Sequence, residues 1–154
     1  MALYPSMASV LLAVALAWPS QTTKPGAERD ASMHNTITIR VGAKAFVATL
    51  ADNATAAAFR KLLPLAVTMT DLNGNEKYAR LSVSLPVRPA TPPGIRTGDL
   101  MMHGASTVVV FYKSFSTAYS YTNIGRIEDP DGLEAALGSG SVEVTFEQRR
   151  DGRR

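Results

Sequence analysis

Asn35-Thr36-Ile37-Thr38-Ile39-Arg40-Val41-Gly42-Ala43-Lys44-Ala45-Phe46-Val47-Ala48-Thr49-Leu50 is the stretch from which the architecture is read. Ile37, Ile39 and Val41 alternate with polar residues, the two-residue period of a strand buried on one face. Gly42-Ala43-Lys44 is a short turn, and 45–50 form the partner strand of a hairpin. Asp52 and Asn53 then offer side-chain oxygens to the free N–H groups of a helix start. Ala56, Phe59, Leu62 and Leu63 recur at helical spacing until Pro64 stops the run, so the spacing predicts a helix over 54–63.

The pattern continues outward in the same grammar. Residues 65–70 read as a short strand, and Asn73-Gly74 marks a tight turn because both residues tolerate positive φ. A long strand is predicted over 76–85, with Ala79, Leu81, Val83 and Leu85 on one face and Tyr78, Arg80, Ser82 and Ser84 on the other. Glu76 and Lys77 could frame an acid–base pair, but adjacent strand residues point to opposite faces, so they read as a charged hairpin end. Four prolines within 86–94 exclude a continuing ladder. Strands follow over 99–103, 107–112 and 119–128, the second apolar throughout and therefore buried on both faces. Asp129-Pro130-Asp131 is expected to cap a short helix ending at Leu137, and Val142, Val144 and Phe146 alternate in a closing strand. The predicted fold is mainly β: a closed eight-stranded barrel with two short capping helices, closure being the way to leave no exposed strand edge.

With 154 residues the chain has room for one domain and one core. It contains no cysteine, which excludes disulfides, thiolate metal sites, iron–sulfur clusters and thiol catalysis. Its two histidines, His34 and His103, exclude His-rich metal centres, so neither metal nor cofactor is expected. The net charge of +3 resides in the tail, since 149–154 carry four arginines and one aspartate and the remainder is balanced. No basic stripe runs along the body, so nucleic acid is not an expected partner.

The apolar run 8–17 is too short to span roughly 30 Å of hydrocarbon. It fits the core of a signal peptide ending in Ala15-Leu16-Ala17, although no Lys or Arg precedes it. The expected organisation is a leader over 1–17, a linker over 18–34, a domain over 35–148 and a basic tail over 149–154. That implies a secreted or periplasmic protein without stable membrane insertion, or a cytoplasmic one if translation starts at Met33. Oligomeric state is not legible.

The helix carries Thr55-Ala56-Ala57-Ala58-Phe59-Arg60-Lys61-Leu62, which resembles the first helix of cyclophilins, placed likewise after two strands. Asp71-Leu72-Asn73-Gly74-Asn75-Glu76-Lys77-Tyr78, Gly98-Asp99-Leu100, Phe111-Tyr112-Lys113 and 119–125 are similar to a smaller bacterial family of cyclophilin-like fold proteins. The resemblance covers about 37–146 and implies the same closed eight-stranded barrel. Activity does not travel with a fold. Rotation about an X–Pro bond faces a barrier of roughly 18–20 kcal/mol, and cyclophilins lower it with an arginine near the prolyl nitrogen. They carry that arginine in an F-H-R run paired with a Q-G-G-D segment, and neither run occurs here. Arg80 is the only weak candidate for such a role.

His103 and Asp99 share a strand face but lack a third metal ligand. The remaining signal is aromatic. Tyr112, Phe115, Tyr119 and Tyr121 lie within ten residues, with Tyr119 and Tyr121 expected on one face of a strand. Rings with polar tips suit a shallow groove for a peptide or small ligand. The sequence therefore points to a binding module on a cyclophilin-like barrel, with weak peptidyl-prolyl cis-trans isomerase activity as the alternative.

Overall fold

The computed structural model describes residues 35–149. The expected leader and linker, and all but the first residue of the basic tail, lie outside them. Eight strands close a barrel: β1 (Thr36–Val41), β2 (Lys44–Leu50), β3 (Leu65–Leu72), β4 (Glu76–Arg80), β5 (Asp99–His103), β6 (Thr107–Phe111), β7 (Thr122–Ile127) and β8 (Val142–Gln148). The order around the barrel is β1-β2-β7-β5-β6-β4-β3-β8, every pairing antiparallel. The helices are α1 (Ala54–Arg60) and α2 (Leu133–Leu137). Among the described residues no helix is long and apolar enough to cross a membrane.

The alternation of β1 places Ile37, Ile39 and Val41 inside the barrel, against Phe46 and Ala48 of β2 and Val144 and Phe146 of β8. Phe59 of α1 reaches the same core and meets Phe146 edge-on at 5.3 Å. Asn53 caps α1, its Oδ1 accepting from the Ala56 N–H at 2.8 Å, while its Nδ2 donates to the Asn123 carbonyl at 2.9 Å. One side chain thus starts the helix and ties it to β7. Gly125 of β7 pairs with Leu50 of β2. A Cβ there would collide with the Thr49 carbonyl oxygen and lie 2.9 Å from the Leu50 Cα, so only glycine fits.

The larger boundary differences from the sequence reading each have a local reason. Helix α1 ends at Arg60, and the next turn tightens, with Lys61, Leu62 and Leu63 N–H groups bonding three residues back before Pro64. Strand β4 ends at Arg80 rather than Leu85, because its partner β6 begins at Thr107 and Arg80 faces that residue. Beyond it Leu81 and Leu85 are buried while Val83 is 43% exposed, so the apparent alternation belongs to a loop. Strand β7 starts at Thr122, not at 119. Helix α2 is preceded by Gly132 at φ 79°, and Asp129 instead accepts from the Asp131 N–H in a turn.

The charged end of β4 is not solvated. Glu76 and Lys77 are both buried, and the pleat sends them to opposite faces. Lys77 points into the barrel mouth, fully buried. Its Nζ donates to the Gly140 carbonyl at 2.6 Å and pairs with Asp71 Oδ1 at 3.0 Å. The Tyr112 hydroxyl donates to the same Oδ1 at 2.6 Å, and Lys77 Nζ lies 5.7 Å from the Tyr112 ring centroid. Asp71 Oδ2 accepts from the Gly74 N–H at 3.1 Å, holding the turn in which Asn73 and Gly74 both adopt positive φ. The hydrogen bonds from Tyr112 and Lys77 hold the Asp71 carboxyl below its ordinary value. Burial, and then the bond to Asp71, push the Tyr112 phenol up to about 12.

Gly125→Ala is expected to lower stability by about 3 kcal/mol or more, since backbone must move to admit the methyl group; urea denaturation reads this directly. Asp71 has a depressed folded pKa, so its contribution is complete above the unfolded value of 3.8 and is lost as pH falls through the folded value. The urea midpoint of Asp71→Asn should therefore lie below that of the parent at pH 7, with the gap closing as the pH is taken well below 3.8.

Candidate functional site

Strand β6 is buried on both faces, as its continuous apolar run requires. Val108 and Val110 enter the barrel core, while Val109 and Phe111 belong to a second cluster on the outer wall with Ile95, Met101 and Tyr121. Two loops cover that wall. The proline-rich 81–98 connection and the 112–121 connection are stitched together by backbone bridges, Ala90 to Tyr121 and Ile95 to Phe115. Because prolines donate no N–H, this covering cannot join the sheet as a strand. It leaves hollows between loop and wall.

One hollow, of about 740 Å³, is lined by Leu72, Asn75, Glu76, His103, Phe115 and Tyr119, with Tyr121 as its floor. Its rings form a continuous ladder. Phe115 lies 5.7 Å from Phe111, Phe111 5.4 Å from Tyr121 (edge-on), Tyr121 5.4 Å from His103, and His103 6.3 Å from Tyr119. Glu76 faces Phe111 across β4 and β6, and His103 faces Thr107 across β5 and β6. The groove therefore runs along β6 for four residues, about 13 Å. A second hollow, of about 690 Å³, opens on the other side of Tyr121, between Asn53, Thr55, Pro86, Arg88 and Met101. There Thr55 Oγ1 donates to the Pro86 carbonyl at 2.6 Å, fixing the loop to α1.

The structure brings together Phe115, Tyr119 and Tyr121 but separates Tyr112 from them. Tyr112 continues the inward parity of Val108 and Val110, so its ring faces the barrel and its hydroxyl serves Asp71. Tyr119 and Tyr121 do not share a strand face. Tyr119 precedes β7 and is 69% exposed at the rim, whereas Tyr121 is buried in the wall. Arg80 is exposed at the far end of β4 and lines neither hollow; Arg88 is the arginine beside the groove. His103 is exposed between two tyrosine rings, and no group of three or more His, Asp or Glu residues suited to a metal occurs among the described residues. Asp99, buried, accepts from the Arg96 N–H at 2.8 Å and faces Arg126 at 3.7 Å.

The sequence reading takes Glu76 as a charged hairpin end and gives it no place in the groove. It is 7% exposed, yet no described residue gives its carboxylate a hydrogen bond or ion pair. Burial first, and then the charge of Asp71, raise its pKa above the ordinary 4.5. Burial also raises the Tyr121 phenol, and the Glu76 charge adds to that shift. Asn75, beside it, holds a buried side-chain oxygen with no donor. The signal was present in the alternation: if Lys77 turns inward, Glu76 must face the wall.

Residues 39–147 match the sequence model of a family described as the Cyclophilin-like family. The solution structure of a hypothetical protein from Archaeoglobus fulgidus is similar in fold, with a TM-score of 0.52 and 14% identity, over 77% of this chain and 97% of that one. Comparison with curated protein sequences finds no match.

A carboxylate without a partner in this setting opposes folding, so Glu76→Gln should raise the melting temperature at pH 7. The folded pKa of Glu76 is raised, so its penalty is absent below the unfolded value and appears as pH rises through the folded one. The gain in melting temperature should accordingly vanish below about pH 4, which calorimetry at paired pH values checks.

Proposed function

The chain belongs to the cyclophilin-like family, and on that premise we propose that it is a binding module that holds a peptide in the groove of Phe115, Tyr119 and Tyr121. The observation that carries this reading is the ring ladder itself: five aromatic side chains in sequence, the inner ones locked in the outer cluster and Tyr119 left at the rim. Rigid rings supply contact area at low entropic cost. The groove's length suits an extended segment of about four residues, and the second hollow continues past Tyr121. The apolar run 8–17 supports an exported setting for this module.

Isomerase activity is the second reading, favoured by one feature, the position of Arg88 beside a ring-lined hollow. Catalysis of X–Pro rotation needs a cation at the prolyl nitrogen. Arg88 lies in the hollow beyond Tyr121, and no arginine lines the aromatic one. Binding without turnover fits this separation better.

A panel of blocked pentapeptides differing at the central residue tests both. Amide shifts in two-dimensional NMR should concentrate on Phe115, Tyr119, Tyr121 and His103. Tyr119→Ala should weaken binding roughly tenfold, about 1.4 kcal/mol, with an unchanged melting temperature. A protease-coupled proline-peptide assay should show no acceleration. Acceleration abolished by Arg88→Ala or Arg80→Ala would establish the isomerase reading instead.

A further inference from the structure

The aromatic hollow has a chemical polarity that its rings alone do not explain. At one end of the hollow the Glu76 carboxylate shares the lining with Phe115 and Tyr121 and stands opposite Phe111 in the ladder, and no described residue donates to it. Lys77, the adjacent cation, is turned into the barrel and engaged by Asp71 and Gly140. No lysine or arginine lines the hollow. Arg80 is four residues further along β4, about 13 Å away, and His103 marks the opposite end of the groove. Buried charges are ordinarily paired, because desolvating one without a partner is costly. Here the protein retains a carboxylate beside aromatic rings, the combination that receives an ammonium or guanidinium group.

We propose that the Glu76 end of the groove receives the cationic side chain, lysine or arginine, of an extended peptide. The carboxylate accepts its N–H groups, and the rings pack its methylene stem. The backbone of the peptide lies toward Tyr121 and His103. This rests on the peptide-binding reading and narrows it to basic peptides.

The test uses the full chain and three probes: acetyl-Ala-Ala-Lys-Ala-Ala-amide, the same peptide with norleucine in place of lysine, and n-butylammonium. Binding is followed by NMR titration at low salt. The lysine peptide should bind at least tenfold more tightly than the norleucine peptide. Glu76→Gln should abolish that preference, and raising the salt should weaken only the lysine peptide. Calorimetry of Glu76→Gln verifies its folding, and the comparison of lysine with norleucine on the parent chain needs no variant. Equal affinity for the two peptides would overturn the cationic site and leave the groove reading intact. Absence of groove shifts with every peptide would overturn both. Binding of n-butylammonium as tight as that of the lysine peptide would overturn the peptide as occupant.

Discussion

The alternation of β4 at Glu76 and Lys77 is the constraint from which the candidate site follows. A strand cannot turn two neighbouring side chains to one face. Lys77 is accommodated inside because Asp71, the Gly140 carbonyl and the Tyr112 ring surround its ammonium at the barrel mouth. Asp71 in turn accepts from Tyr112 and from the turn at Gly74, so one carboxylate joins β3, β4 and the end of β6. With the cation committed inward, the anion beside it is committed outward, into a wall of rings. A buried ion pair of this kind is weak evidence for stability in itself. Its consequence here is orientation: it leaves Glu76 apart from the lysine that could have neutralised it.

The same two-sidedness builds the groove. β6 buries both faces because the barrel takes one and the loop-covered wall takes the other. The prolines of 86–94 keep the covering chain out of the ladder, and its two bridges hold it at a distance that leaves hollows on either side of Tyr121. The site is thus positioned by strands and enclosed by loops.

Much of this was legible in the residues. Ile37, Ile39 and Val41 declare a half-buried strand by period alone, Asn73-Gly74 declares its turn, and the unbroken apolar run at 107–112 declares burial on both faces. The closed barrel and the cyclophilin resemblance agree with the family match over 39–147. What was illegible depended on partners distant in sequence. The end of β4 is set by where β6 starts, and residues 81–85 imitate a strand because Leu81 and Leu85 are buried by a loop. Tyr112 was grouped with the groove by proximity in sequence, whereas its parity with Val110 assigns it to the interior. Glu76 looked like a solvated charge because nothing local announces that Phe111 lies opposite and that a loop closes over both.

The most direct measurement is a carbon-detected NMR titration of the Glu76 side-chain carboxyl, alone and with the lysine peptide bound. An orphan carboxylate in an aromatic wall should titrate above 4.5 in the free protein and shift downward when the cationic side chain arrives. A value at or below 4.5 in the free protein, unmoved by the peptide, would contradict the account.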